Sequence, residues 1–143
     1  VADAREILVV DDDESQRLVA RLVLDKILDH RVPIETASDA ARGQHALDQA
    51  ARAGRRVLVL SDYHMPGEDG LSFARAAKAR HGARVRFVLL AASERLPPTP
   101  GPDLVVDKPI GLAPYRELLG RIVRDWLAEE GRGATEEGRG DGS

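Results

Sequence analysis

The sequence predicts a three-layer α/β domain: an open, parallel, five-stranded sheet with helices on both faces. Three observations point there. Five short apolar runs lack the polar alternation of a half-exposed strand, which suits strands buried on both faces. Longer stretches with apolar residues at helical spacing separate them, and such strand–helix alternation implies parallel strands joined by right-handed crossovers. Charged residues also close three of the runs: Asp11 and Asp12 after Val10, Asp62 after Ser61, and Lys108 after Asp107. At 143 residues the chain suits a single core.

The first strand is expected over residues 7–10, Ile7-Leu8-Val9-Val10. A helix over 14–30 follows, with Leu18, Val19, Leu22, Val23 and Ile27 at helical spacing. Asp13 with Gln16 resembles a capping box for it. The second strand is 33–37. The second helix, 39–53, is alanine-rich with Leu47 on its inner face, and Gly54 suits its C-terminal cap. A third strand over 57–60 leads to a helix over 71–80, which carries Phe73, Ala76 and Ala77 inward and ends at Gly82. The fourth and fifth strands are 85–90 and 104–106. Between them, residues 94–103 hold Pro97, Pro98, Pro100, Gly101 and Pro102. Proline removes a helical donor and disfavours helix in the residue before it. The fourth crossover helix is therefore expected to be missing, or cut to one turn over 93–96. The last helix, 114–130, has an apolar stripe of Tyr115, Leu118, Leu119, Ile122, Val123, Trp126 and Leu127. Residues 131–143 lack an apolar anchor and are expected to be disordered, which makes 1–130 the folded domain. Arg139-Gly140-Asp141 matches a cell-adhesion tripeptide, but chance explains it in so glycine-rich a tail.

Composition narrows the function. Hydrophobic residues make up 43% and charged residues 31%, as in ordinary globular chains, while aromatics are only 3%, so aliphatic side chains build the core. The absence of cysteine excludes disulfides, thiolate zinc sites and thiol catalysis. No apolar stretch approaches the ~20 residues of a membrane span, and no signal-peptide pattern opens the chain. A cytoplasmic protein without membrane partners is expected. A net charge of −3, with arginines interspersed among acids, gives no footing for nucleic acid.

If the three charge-terminated runs are neighbouring parallel strands, Asp11, Asp12, Asp62 and Lys108 converge on one crevice. Carboxylates that close repel unless something positive joins them. A divalent cation and an anionic ligand are therefore expected, the chemistry of a metal-assisted phosphoryl acceptor. Each residue alone has an ordinary explanation. Asp11–Asp13 suits a helix cap, Asp62 suits the start of the turn before Met65-Pro66-Gly67, and Lys108 suits a surface. Their joint placement carries the reading. His64 reads as a loop residue edging the crevice, and His30, His45 and His81 are scattered.

Val9-Val10-Asp11-Asp12, the stretch Asp62-Tyr63-His64-Met65-Pro66-Gly67-Glu68-Asp69-Gly70, and Asp107-Lys108-Pro109 resemble the receiver domain of two-component response regulators, over about residues 5–128. The resemblance implies the flavodoxin-like strand order 2-1-3-4-5, which the chemotaxis receiver shares. It implies Asp62 as phosphoacceptor, a carboxylate that becomes an aspartyl phosphate once the incoming charge is neutralised. Mg²⁺ would be held by Asp12 and Asp62, by Asp11 through a water, and by the backbone carbonyl of His64. Lys108 would pair with a phosphoryl oxygen, and the Lys108–Pro109 bond is expected to be cis, as in that family. The implied donor is a histidine kinase or a histidine phosphotransfer domain, and the chain itself is expected not to be an enzyme.

Three departures from that family fall on its switching apparatus. Ala91 stands where receivers carry Thr or Ser, and has no hydroxyl for a phosphoryl oxygen. Ser93 offers a substitute hydroxyl, but about 7 Å farther along at ~3.3 Å per residue. Val105 stands at the family's aromatic switch position, and the proline-rich 94–103 replaces the fourth helix. The expectation is an acceptor without the usual readout: a relay station, a phosphate sink, or the receiver of a hybrid histidine kinase. A phosphorylation-independent binding module is the alternative, favoured by Ala91 and Val105 and opposed by the intact acids and lysine. A haloacid-dehalogenase-like phosphatase wants a second Asp where His64 stands, and no G-x-G-x-x-G follows the first strand to hold a dinucleotide.

Overall fold

A computed structural model of the chain describes residues 4–91 and 101–138, with side chains described as far as residue 129. The described residues run β1 (Ala4–Val10), α1 (Glu14–Leu28), β2 (Ile34–Ala37), α2 (Ala40–Arg52), β3 (Arg55–Asp62), α3 (Gly70–His81), β4 (Val85–Ala91), β5 (Leu104–Asp107) and α4 (Leu112–Gly138). All strand pairs are parallel, as the strand–helix alternation predicts, and the sheet order is β2-β1-β3-β4-β5, as the resemblance to receiver domains implies. Two compact units divide between Pro109 and Ile110, the sheet lying wholly in the first.

Within the first unit, the period of two along each strand sorts side chains between the sheet's faces. Leu8 and Val10 of β1, Val57 and Val59 of β3, and Val85, Phe87 and Leu89 of β4 share a core with Leu47 of α2 and with Phe73, Ala74 and Ala77 of α3. Phe73 and Phe87 meet edge to face, centroids 5.2 Å apart. The alternate residues, among them Ile7, Val9, Leu58, Leu60, Val88 and Leu90, are buried on the opposite face, as are Ala20, Leu24 and Leu28 of α1.

Local capping starts each helix of this unit. The Asp13 carboxylate accepts from the Ser15 and Gln16 N–H groups, Asp39 from Arg42 N–H, and Asp69 from Ser72 N–H. Gly54, at φ +74°, takes the left-handed conformation just past α2.

Several expectations are corrected. The buried stripe of α1 is Ala20, Leu24 and Leu28, while Leu18 and Leu22 are 56% and 61% exposed. Apolar residues surround most of this helix, so spacing alone does not select the inward face. On α3, Ala74 is buried in place of Ala76. The Lys108–Pro109 bond is trans, since no cis peptide occurs among the described residues. Trans is favoured intrinsically even before proline, and the lysine amine reaches the acids without the other isomer. The final helix continues past Glu130 to Gly138, although the composition of 131–143 implied disorder. Its buried stripe is Tyr115, Leu119, Ile122, Val123 and Trp126. The fourth crossover helix, expected to be missing or cut to one turn over 93–96, falls mostly on residues 92–100, outside the described residues; residues 101–103 are not helical.

Asp103 anchors the return into β5. Its N–H donates to the Phe87 carbonyl at 2.8 Å, and its Oδ2 accepts from Phe87 N–H at 2.8 Å and from Lys78 Nζ at 3.0 Å. A side chain thus supplies a ladder bond. Asp103→Ala strands the N–H of fully buried Phe87, and is expected to lower the unfolding free energy by about 1–3 kcal/mol, measured by urea denaturation.

Candidate functional site

In a parallel sheet the carboxyl ends of the strands share one edge, and ligands of open α/β sheets bind there. Register brings the acids together. Val10 pairs with Ser61, so Asp11 leaves β1 beside Asp62, the last residue of β3. Asp62 pairs with Leu90 on β4, and Ala91 with Asp107 on β5, which sets Lys108 just beyond. Asp11, Asp12 and Asp62 each offer a carboxylate oxygen, these atoms lying within 4.8 Å of one another.

Asp11 is buried and tied at every polar atom. Its N–H donates to the Ala37 carbonyl at 3.1 Å. Its Oδ1 accepts from Asp13 N–H at 2.9 Å and its Oδ2 from Lys108 Nζ at 3.1 Å. Arg17 Nη1 donates to its backbone carbonyl at 2.7 Å. Asp12 is exposed, and Asp62 is intermediate. Asp62 Oδ1 accepts from Tyr63 N–H at 3.1 Å. Lys108 is held through its own N–H, which donates to the Ala91 carbonyl at 2.9 Å.

Gly70 fixes the far end of the Asp62 turn. Its N–H donates to the Tyr63 carbonyl at 2.8 Å. A Cβ there would fall within 2.6 Å of Leu89 Cδ1 and 3.0 Å of Tyr63 Cα, and closer still to the Asp62 carbonyl oxygen. Glycine lets the loop close tightly enough to seat the acid. His64 lies exposed in this turn, its ring edge-on to Tyr63 at 4.8 Å between centroids.

All four charged residues singled out in the sequence therefore meet, and Lys108 pairs with Asp11. Asp13 does not join the three acids; it caps α1. Ala91 is buried at the end of β4, whereas Val105 is 47% exposed on β5. Ser93 lies outside the described residues. Arg17 and Gly70 are contributors that sequence reasoning missed. Arg17 carries a signal in its position on the first turn of the helix that follows the acid pair.

Three oxygen donors around one point fit a hard divalent cation such as Mg²⁺, which takes one or two carboxylates and keeps several waters. Burial pushes the Asp62 carboxyl above its ordinary range, and neighbouring Asp11 and Asp12 push the same way. Lys108 and the Tyr63 N–H oppose them.

No protein-family model matches the chain. Solved structures do resemble it. A response regulator receiver domain protein from Clostridium thermocellum superimposes with a TM-score of 0.67 at 20% identity, covering 87% of this chain and 98% of that one. The fold is that of a receiver domain. The receiver domain from the hybrid histidine kinase CckA gives 0.61 at 23% identity, over 85% of this chain and 97% of that one. A probable two-component system response regulator/GGDEF domain protein gives 0.68 at 26% identity; the match covers 86% of this chain and 49% of that one, so this chain spans about half its length. In this receiver fold the acids occupy the C-terminal edge of the sheet, between β1 and β3 at the centre of its order.

The raised pKa of Asp62 has a sign that can be measured without metal. Its protonated form is favoured by folding, so that stabilisation is present below the unfolded value of 3.8 and lost as pH rises through the higher folded value. Metal-free protein is therefore expected to lose part of its stability over that window. Urea denaturation across the pH range should show a smaller loss in Asp62→Asn, and that variant should be the more stable at neutral pH.

Proposed function

We propose that the chain is a phosphoacceptor receiver of a two-component or phosphorelay system. It takes a phosphoryl group onto Asp62 from the phosphohistidine of a histidine kinase or histidine phosphotransfer domain. The observation that supports this most strongly is the meeting of three carboxylates within 4.8 Å of one another and an ammonium 3.1 Å from Asp11. Asp12 and Asp62, Asp11 through a water and the His64 backbone carbonyl would hold Mg²⁺, which would supply neutralising charge for the phosphoryl oxygens.

The chain's own groups do the rest. Asp62 attacks as a carboxylate, and Lys108 favours that ionised form. One Asp62 oxygen forms the new O–P bond while the N–P bond to the donor imidazole breaks, and its electron pair returns to the imidazole nitrogen. The Lys108 amine, drawn from Asp11, then pairs with a phosphoryl oxygen as a point charge.

Buried Ala91 offers that oxygen no hydroxyl, and Val105 has no aromatic ring to change rotamer. A module that accepts and passes phosphate fits better than one that reshapes an output face. It would serve as a relay station, a phosphate sink or the receiver of a hybrid kinase. In this reading residues 1–130 form the receiver domain, the tail is accessory, and the chain is a phosphorylated substrate in the cytoplasm rather than an enzyme. No helix among the described residues is long and apolar enough to cross a membrane. A phosphorylation-independent binding module is the second reading, favoured by Ala91 and Val105.

Acetyl phosphate with Mg²⁺ is expected to add one phosphoryl group per chain, read by intact mass spectrometry. Label should vanish in Asp62→Asn or with chelator, and form about a hundredfold more slowly in Lys108→Met, the usual scale for losing one electrostatic stabiliser. An unlabelled parent at saturating donor and Mg²⁺ would overturn the proposal. Partner binding indifferent to Asp62→Asn would then favour the second reading.

A further inference from the structure

We infer that Arg17 is a positioning residue for cation binding, setting Asp12 through the backbone of Asp11. This rests on the proposed Mg²⁺ site and deepens it. Asp11 needs little help, since its carboxylate is held by Asp13 N–H and by Lys108. Asp12 differs: it is exposed, and no hydrogen bond holds its carboxylate among the described residues. What orients it is the backbone.

The Asp11 carbonyl and the Asp12 N–H belong to one planar peptide unit. Arg17 Nη1 donates to that carbonyl at 2.7 Å, and the Asp11 N–H on the preceding peptide donates to Ala37. Both peptides flanking Asp11 are therefore pinned, one by β2 and one by α1. Arg17 itself is fixed, partly buried, by its place on α1, where its N–H donates to the Asp13 carbonyl at 3.0 Å. Holding the second peptide plane fixes the Asp12 Cα and the direction of its side chain toward Asp11 and Asp62. Groups that orient metal ligands from outside the coordination sphere commonly govern affinity by about 10–100-fold.

The sign of the effect separates positioning from mere charge. A guanidinium near a cation site repels the cation, so a bystander arginine weakens binding and its removal tightens it. A positioning arginine does the opposite. Arg21, one turn further along α1 and exposed, supplies the control for charge.

Mg²⁺ titrated calorimetrically into the metal-free chain is the test, with Arg17→Met, Arg17→Lys and Arg21→Met compared with the parent. Arg17→Met is expected to bind about tenfold more weakly. Arg17→Lys should fall between, keeping the charge without the planar fork. Arg21→Met should match the parent or bind slightly tighter. Amide NMR of the metal-free variants checks the fold; where Arg17→Met does not fold, Arg17→Lys decides, weaker binding supporting the inference and equal binding overturning it. Unchanged or tighter binding in Arg17→Met overturns it while leaving the Mg²⁺ site intact. A parent that binds no Mg²⁺ overturns the proposed function, and this inference with it.

Discussion

Asp11, Asp12 and Asp62 bring carboxylate oxygens within 4.8 Å of one another at one sheet edge, and the arrangement of the surrounding chain follows from containing their repulsion. Two unit charges ~5 Å apart repel by about 3 kcal/mol at an effective dielectric of about 20. Water screens part of this at exposed Asp12. On the same scale an ammonium at the 3.1 Å Lys108–Asp11 distance attracts by about 5 kcal/mol. One lysine offsets the repulsion only in part, and the raised Asp62 carboxyl registers the remainder together with its burial. The acids, the lysine and the strand ends therefore have to be understood as one unit, whose charge balance fits a further cation.

The fold supplies the rigidity that such a unit requires. β1 and β3 are adjacent and in register, so the two acid-bearing strands cannot drift apart without loss of ladder bonds. Gly70 closes the Asp62 turn onto the strand end, and Ala91 holds the Lys108 backbone. Asp103 ties the entry into β5 to β4 and to Lys78 of α3. Toward β5 the character changes. Ala91 is small and apolar, and Leu104 and Val105 are exposed on β5. The acid pocket is densely bonded, while the neighbouring edge carries neither hydroxyl nor ring at Ala91 and Val105. The polar bonding of this sheet edge is concentrated at the acids and Lys108 rather than along β5.

Much was legible because its causes are local. Ile7-Leu8-Val9-Val10 and the runs of β3 and β4 read as buried strands without knowledge of their neighbours, and Asp13 read as a cap, whereas the 104–106 run read the same way although Leu104 and Val105 are exposed on β5. The β1, β3 and β5 ends were marked by Asp11, Asp62 and Lys108, so their convergence needed only a parallel sheet. The misread elements have a different cause. Leu18 and Leu22 stand at the same spacing as Leu24 and Leu28, and only docking onto the sheet selects among the faces of a helix apolar on most sides. Ala74 and Ala76 differ by two residues on α3, and only packing into the core selects Ala74.

Residue order by itself determined the strands, the helix starts and which charges close which strands, since these depend on side-chain chemistry and short-range periodicity. The tertiary structure alone decided that Lys108 meets Asp11 across 97 residues of sequence with a trans Lys108–Pro109 bond. It likewise decided that Arg17 reaches the Asp11 carbonyl, and that Gly70 is pressed against Asp62. Those are distances between segments remote in the chain or folded back on themselves, and distances of that kind exist only once the sheet has set its register.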